Sequence, residues 1–304
     1  MKPITLVALL TAAWLAPGTP ALAQPAVNTD PHAAHAMDAA PQGATGATQG
    51  AAAHLPPGEE QAKARLNASP RHGEYADIAL AGGGTLRTWV SYPERKDKAP
   101  VVIVIHEIFG LSDWVRGVAD QLAADGYIAI APDLLTGKGP NGGGTDAFAS
   151  RDDVVAGVRG LAEDDVVTRL NAVRDYGLKL PAANGKTATV GYCWGGSTSF
   201  TYATRQPGLN AAVVFYGTSP SAPGTLSAIK APVLGLYGEN DARVNATIDG
   251  AKAEMAKLNK VFEPHIYPGA GHGFLRAQSG QDGANLKATE AAWPTMLAFF
   301  KKHL

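Results

Sequence analysis

The sequence predicts an α/β domain with a mostly parallel, doubly wound sheet and helices on both faces. Three observations predict it. From residue 73 to the end, short β-branched runs alternate with helical segments, which is typical of repeated strand-helix units. Residues 101–105 form an unbroken apolar run, as expected of a strand covered on both faces. No internal repeat or second domain interrupts the alternation.

The elements follow from local patterns in chain order. Residues 75–80 and 85–92 are predicted to form a hairpin because three glycines, residues 82–84, separate two strand-like runs. The strand at 101–105 is followed by a helix over 114–124 and a strand over 127–131. A Gly-rich loop then precedes one long predicted helix over 152–176. The remaining predictions are strands at 187–192, 211–216, 232–237 and 265–267, with helices after Gly196 and over 247–258 and 286–303.

The first seventy residues are predicted to lie outside that domain. A charged start, an apolar run over residues 4–15 and Ala-Leu-Ala before Gln24 have the pattern of a signal peptide over residues 1–23, cleaved after Ala23. Residues 24–70 are dominated by Ala, Gly, Pro, Thr and Gln, which predicts a disordered tether. We therefore expect a periplasmic or secreted protein, with its folded domain at 71–304 and no stable membrane insertion.

Composition excludes several classes of protein. The formal net charge is −1, from 26 Lys and Arg against 27 Asp and Glu, so no overall field attracts the chain to nucleic acid. The count of Cys is 1, which rules out an intramolecular disulfide and a metal site made of several thiolates. The lone thiol therefore needs an explanation of its own.

The strongest motif surrounds that thiol. Residues 191–196 read Gly-Tyr-Cys-Trp-Gly-Gly between a predicted strand and a predicted helix. This is the pattern G-x-C-x-G-G of a sharp strand-to-helix turn that presents a nucleophile. Glycines there let neighbouring backbones approach closely, and the start of the next helix stabilises a thiolate. Cys193 is therefore the predicted nucleophile.

Two later strand ends supply an acid and a base. Residues 238–241 read Gly-Glu-Asn-Asp after the strand at 232–237, and His272 stands between two glycines after the strand at 265–267. We expect His272 to keep the thiol ionised and later to activate water, while Asp241 fixes the tautomer of the imidazole. Glu239 is the alternative to Asp241 for that role.

A further loop follows the central strand. Residues 106–110 read His-Glu-Ile-Phe-Gly, which is not the zinc motif H-E-x-x-H because the fifth position is Gly110. We therefore expect no catalytic metal and no cofactor. The backbone N–H groups of Ile108 and Trp194 are predicted to form an oxyanion hole.

With these motifs in this order, the chain resembles the dienelactone hydrolases, cysteine enzymes of the α/β-hydrolase superfamily. The likeness runs from about residue 73 to the end and includes Ala-Pro-Asp-Leu at 131–134 and Gly-His-Gly-Phe at 271–274. It implies the α/β-hydrolase fold and hydrolysis of an ester or lactone through an acyl-enzyme.

The resemblance also implies individual roles. Glu107 would contact the resting thiol and release it when substrate arrives. Arg276, which follows His272 by four residues, would hold a substrate carboxylate, and Arg151 is a candidate for a second such group. A pair of guanidiniums would select an anionic small molecule. Phe274 beside the base either narrows the cleft or is plain packing, and the same holds for Trp194.

Other functions remain open at this point. A general carboxylesterase or thioesterase would use the same triad. A periplasmic metal-binding protein would instead use His32, His35 and Met37 of the tether, with an inactive hydrolase domain. The expected partner is a small-molecule ester or lactone, and the expected state is a monomer.

Overall fold

The computed structural model describes residues 54–304, which form a mixed eight-stranded sheet. The predicted signal peptide and the tether residues His32, His35 and Met37 lie outside the described residues. The strands are β1 Gly73–Ala79, β2 Thr85–Ser91, β3 Ala99–Ile105, β4 Ile128–Pro132, β5 Ala183–Tyr192, β6 Ala211–Phe215, β7 Val233–Asn240 and β8 Phe262–Gly271. Their order is β1-β2-β4-β3-β5-β6-β7-β8.

The strands β3 to β8 pair in parallel fashion, whereas β1 with β2 and β2 with β4 are the antiparallel pairs among the described strands. A hairpin can be joined by a short turn, whereas each parallel pair needs a crossover. α-Helices supply the crossovers here except between β6 and β7, where the connection contains one 3-10 turn, Thr225–Ala228. The helices are α1 Glu59–Asn67, α2 Asp113–Ala124, α3 Arg151–Arg159, α4 Glu163–Lys179, α5 Trp194–Arg205, α6 Ala242–Asn245, α7 Ile248–Lys257 and α8 Ala284–His303.

Helices cover both faces of the sheet. Along β3, Val101 and Ile103 pack into one apolar cluster, whereas Val102 and Val104 pack into the other. The first cluster takes side chains from α4, α5 and α7, and the second from α1, α2 and α8. The predicted doubly wound α/β fold is therefore confirmed. Within residues 54–304, none of the helices combines the length and apolar character needed to cross a bilayer.

The long helix predicted over 152–176 is wrong, because two helices stand in its place. α3 ends before Gly160, and Ala162 adopts an extended backbone before α4 begins. The first turn of α4 is acidic, at residues 163–165, and negative charge stabilises the positive end of a helix dipole. That acidic run marks a helix start rather than the interior of one helix.

The predicted end of the tether at residue 70 is also wrong, because α1 lies within it. Ala62 is 1% exposed and packs in the second apolar cluster. Two side chains of the domain also hold the segment before α1: Trp114 Nε1 donates to the Pro57 carbonyl at 3.0 Å, and Gln278 Nε2 donates to the Pro56 carbonyl at 3.0 Å. These are contacts to backbone oxygens, which a search for an apolar face does not detect.

A buried carboxylate joins the loops next to the carboxyl ends of β3 and β4. Asp133 Oδ1 accepts from Leu135 N at 3.1 Å and from the Thr145 hydroxyl at 2.7 Å. Its Oδ2 accepts from Thr145 N at 2.7 Å. Thr145 Oγ1 in turn accepts from Leu111 N at 3.0 Å, in the loop that follows β3. Asp133 therefore links the Gly-rich loop to the loop of the predicted oxyanion hole.

We expect Asp133→Ala to lower the free energy of unfolding by about 3 kcal/mol, because it leaves three donors without their acceptor in a buried place. Urea denaturation measures the change. Asp97→Ala removes an exposed carboxylate and is the control, with an expected change within about 0.5 kcal/mol. Equal stabilities of the two variants would show that Asp133 does not hold these loops.

Candidate active site

The turn that presents Cys193 lies between β5 and α5. Cys193 has φ 55° and ψ −116°, a backbone conformation that side chains disfavour. Its N–H donates to the Phe215 carbonyl at 3.1 Å, and its carbonyl accepts from Ser197 N at 3.1 Å. The residue is thus held on one side by β6 and on the other by the first turn of α5.

Glycines make that turn possible. A Cβ on Gly191 would lie 1.8 Å from the Gly195 oxygen, and one on Gly195 would lie 2.3 Å from the carbonyl oxygens of Ile105 and His106. Real Cβ atoms do not approach backbone oxygens this closely, so other residues at these positions would force the strands apart. The close approach also brings the loop after β3 against the turn that contains Cys193.

The structure brings the three predicted triad residues together. Cys193 Sγ lies 3.0 Å from His272 Nε2, and His272 Nδ1 lies 2.5 Å from Asp241 Oδ2. The three residues stand at the carboxyl ends of β5, β7 and β8, where reactive groups gather in a parallel sheet. Asp241 is buried, and the side chain of His272 is 35% exposed, so a small molecule can reach the imidazole edge.

The triad favours a charged imidazole. Burial opposes a positive charge on His272, but the hydrogen bonds and charges of Asp241 and Cys193 outweigh it and raise the pKa of His272 to about 9. At neutral pH both ring nitrogens are then donors, Nδ1 to the Asp241 carboxylate and Nε2 to the sulfur. An imidazolium beside Sγ stabilises the thiolate by direct attraction.

Glu239, the alternative acid, has a different partner. Its Oε2 accepts from Gly269 N at 2.8 Å, and the side chain is exposed. Glu239 therefore ties the ends of β7 and β8 together, while Asp241 holds the imidazole.

The backbone donors predicted for the oxyanion hole lie on adjoining loops. In the part of the chain that the structure describes, the N–H groups of Ile108 and Trp194 donate no hydrogen bond to another backbone carbonyl. His106, fully buried, contacts the Glu107 carbonyl through Nδ1 at 2.7 Å and stacks on the Trp194 ring at 5.5 Å. Because a peptide C=O and its N–H point in opposite directions, the His106 contact also orients the N–H of Ile108.

Glu107 does not touch the thiol, contrary to the role implied by the resemblance. Its side chain is 3% exposed, and its Oε2 accepts from Arg276 Nε at 2.6 Å. Burial raises the pKa of Glu107, although the guanidinium of Arg276 opposes that shift. The sulfur contacts His272 Nε2 instead.

One residue of the site escaped sequence analysis. The Tyr216 ring lies edge-on to the His272 ring, with centroids 5.3 Å apart, and its hydroxyl is buried. Burial and the nearby charge of Glu107 raise the pKa of Tyr216. In the sequence, Tyr216 could have been recognised by its place directly after β6 and before Gly217, since strand ends line the cleft in such a sheet.

The two candidate arginines lie together, but they bind protein carboxylates. Arg276 bonds to Glu107 and, through Nη1, to Glu59 of α1. Arg151 Nη2 lies 3.3 Å from the other oxygen of Glu59. Glu59 therefore occupies part of the guanidinium donors that a substrate carboxylate would use.

Phe274 is a core residue, so its assignment to substrate binding is wrong. It is 0% exposed, and its ring packs against those of Phe215, Tyr216 and Tyr267. Trp194 is only partly buried and stacks on His106, which leaves part of its ring at the surface beside the nucleophile.

Comparisons with known proteins agree with this architecture. A protein of Escherichia coli (strain K12) named "Putative carboxymethylenebutenolidase" is 31% identical over 241 residues, which cover 73% of this chain and 84% of that relative. Carboxymethylenebutenolidase 1 of Cupriavidus pinatubonensis (strain JMP 134 / LMG 1197) is 29% identical over 228 residues, covering 74% of this chain and 96% of that protein. The crystal structure of a dienelactone hydrolase-like promiscuous phosphotriesterase, P91, from metagenomic libraries has a TM-score of 0.65 at 25% identity, covering 77% of this chain and 98% of that one.

Residues 86–304 match the Dienelactone hydrolase family, which is most of the chain. Together with the parallel sheet and its strand-end residues, this match shows that the chain belongs to the dienelactone hydrolase family and is a carboxylic-ester hydrolase with the α/β-hydrolase fold.

Proposed function

We propose that the protein hydrolyses an ester or lactone bond by nucleophilic attack of Cys193, through a covalent acyl-enzyme. The observation that supports this most directly is the continuous contact from Sγ to Nε2 at 3.0 Å and from Nδ1 to the Asp241 carboxylate at 2.5 Å. A nucleophile, a base and a group that orients the base are the parts that such a reaction needs.

The first half of the reaction transfers the acyl group to sulfur. The Cys193 thiolate forms a bond to the carbonyl carbon, and the carbonyl electrons move to oxygen, where the N–H groups of Ile108 and Trp194 would stabilise the negative charge. The tetrahedral species then collapses, the bond to the leaving oxygen breaks, and that oxygen takes the Nε2 proton of His272. A thioester remains on the enzyme.

The second half returns the enzyme to its starting form. His272, now neutral, accepts a proton from water through Nε2, and the hydroxide attacks the thioester carbon. Collapse of that intermediate breaks the carbon–sulfur bond, releases the carboxylic acid and restores the thiolate beside the imidazolium. Asp241 stays ionised throughout and holds the ring in register.

A general carboxylesterase or thioesterase would run the same steps on another acyl group, so the proposal concerns the reaction rather than one substrate. We also propose that the enzyme works in the periplasm or outside the cell. That part rests only on the signal-like pattern of residues 1–23.

We expect Cys193→Ala to lower kcat/KM by on the order of 10⁴-fold or more on every ester that the wild-type protein hydrolyses, because a missing nucleophile leaves only binding and oxyanion contacts. A panel of neutral and anionic esters and lactones measures it. The control is Ser197→Ala, in the first turn of α5 after Cys193; it removes a hydroxyl that bonds to Thr218 after β6, and it should keep most activity. Full turnover by Cys193→Ala would refute the thiol mechanism.

The reaction of the thiol with iodoacetamide should depend on His272. Because the chain has one Cys, the alkylation rate reports on Cys193 alone. The imidazolium of His272, whose pKa is raised to about 9, is present at pH 6 to 7 and stabilises the thiolate. In His272→Gln that charge is absent, so we expect the alkylation rate at pH 6 to fall at least about 10-fold. Superimposable pH profiles for the two proteins would contradict the ion pair.

Two carboxylates at the carboxyl end of β7, Asp241 and Glu239, provide a matched test of which one orients His272. Asp241→Asn should lower kcat by about 10³-fold or more, because the amide no longer favours the required tautomer and charge of His272. Glu239→Gln should leave kcat within a few-fold, since Glu239 binds only the Gly269 N–H. Steady-state kinetics on one neutral ester suffice, and a larger effect at residue 239 would reverse the assignment.

A further inference from the structure

Two guanidiniums from different parts of the chain converge on the carboxylate of Glu59. Its Oε1 lies 3.3 Å from Arg151 Nη2, and its Oε2 bonds to Arg276 Nη1. Both arginines also lie against the Phe109 ring, with Cζ atoms 3.7 Å and 5.1 Å from its centroid for Arg151 and Arg276. This arrangement, a pair of cations over an aromatic ring around one carboxylate, is the geometry of an anion-binding site.

The anion-binding site adjoins the reacting groups. Arg276 lies four residues after His272, and its backbone N–H donates to the Gly273 carbonyl at 3.0 Å. Phe109 follows Ile108, one of the predicted oxyanion donors. A substrate on Cys193 whose own carboxylate extends toward Phe109 would therefore meet these guanidiniums, with Glu59 as its competitor.

Glu59 is fixed in place rather than loosely docked. Its N–H donates to the Arg276 carbonyl at 2.9 Å, and the segment before it is held by Trp114 and Gln278 through the carbonyls of Pro57 and Pro56. A substrate carboxylate would have to compete with an internal one, which acts at a high effective concentration.

The charges in the anion-binding site already balance. Arg151 and Arg276 supply two positive charges, and Glu59 and Glu107 supply two negative ones. A substrate carboxylate would add an uncompensated negative charge, whereas removal of the Glu59 charge would leave one positive charge for it. A neutral substrate meets no such penalty.

We infer that Glu59 is a specificity-determining residue, which fills the anion-binding site formed by Arg151 and Arg276 and makes the enzyme select neutral esters or lactones over anionic ones. This inference rests on the proposed ester hydrolysis for its catalytic consequence, and on the contacts of Glu59 alone for its binding consequence. It replaces the expectation of an anionic substrate.

The kinetic test compares 4-acetoxybenzoate with 4-acetoxybenzamide, two acetate esters that differ mainly in one charge. For Glu59→Gln, we expect the ratio of kcat/KM for the anion to that for the amide to rise at least about 10-fold, chiefly through a lower KM for the anion. Glu60→Gln removes an exposed carboxylate from the same helix turn and should leave the ratio unchanged. An unchanged ratio in Glu59→Gln would overturn the inference.

A binding test separates this inference from the proposed reaction. Tryptophan fluorescence at low ionic strength follows titration with benzoate, and benzamide is the neutral control. Glu59→Gln should bind benzoate at least about 10-fold more tightly than the wild-type protein, and Arg151→Gln added to it should abolish the gain. Equal benzoate affinities would refute the anion-binding site even with esterase activity intact. If the benzoate effect is present but no ester is hydrolysed, only the proposed reaction fails.

Discussion

The close backbone approach at Cys193 is the constraint on which the rest of the site depends. Gly191 and Gly195 lie nearly in contact, Gly195 abuts the carbonyls at the end of β3, and Gly196 abuts the Phe215 carbonyl of β6. Three neighbouring strands therefore meet the first turn of α5 with no room for a side chain. The strained conformation of Cys193 persists because the surrounding strands over-determine it. The strand order β3-β5-β6 therefore fixes the position of the sulfur.

Local patterns in the sequence suffice for the sheet and for the residues at its strand ends. β3 is recognisable because a strand covered on both faces is apolar at every position, and the turn at Cys193 because its glycines are obligatory. The choice between Asp241 and Glu239 could not be made from the sequence, since both follow the strand predicted over 232–237 and only three-dimensional distance separates them. The break between α3 and α4 is marked by Gly160 and an acidic run, but the apolar periodicity continues across it.

Contacts between distant, polar residues could not be predicted in this way. α1 has no apolar stripe, and it is docked through Ala62, through the carbonyls before it and through Glu59. The partner of Glu107 is Arg276, whose position four residues after His272 suggested a contact with substrate, and no pattern in the sequence links it to Glu107. A buried carboxylate needs a cation close by, because an unpaired charge in that position is strongly destabilising. Arg276 meets this need and at the same time binds Glu59 of α1, so one guanidinium connects a buried carboxylate to a helix of the surface.

The ion pair between Glu59 and Arg276 affects the order in which the chain folds during synthesis. Glu59 and Arg276 are 217 positions apart, whereas Cys193 and His272 are 79 apart. During synthesis from the amino end, α1 therefore leaves the ribosome long before its docking partner exists, and the nucleophile turn precedes the imidazole that would activate it. Closing so long a loop costs only slightly more entropy than closing a shorter one, but it makes assembly slow and late. A nascent or truncated chain that ends before β8 thus has Cys193 without His272, and the contact between them forms only once β8 and the loop after it are present.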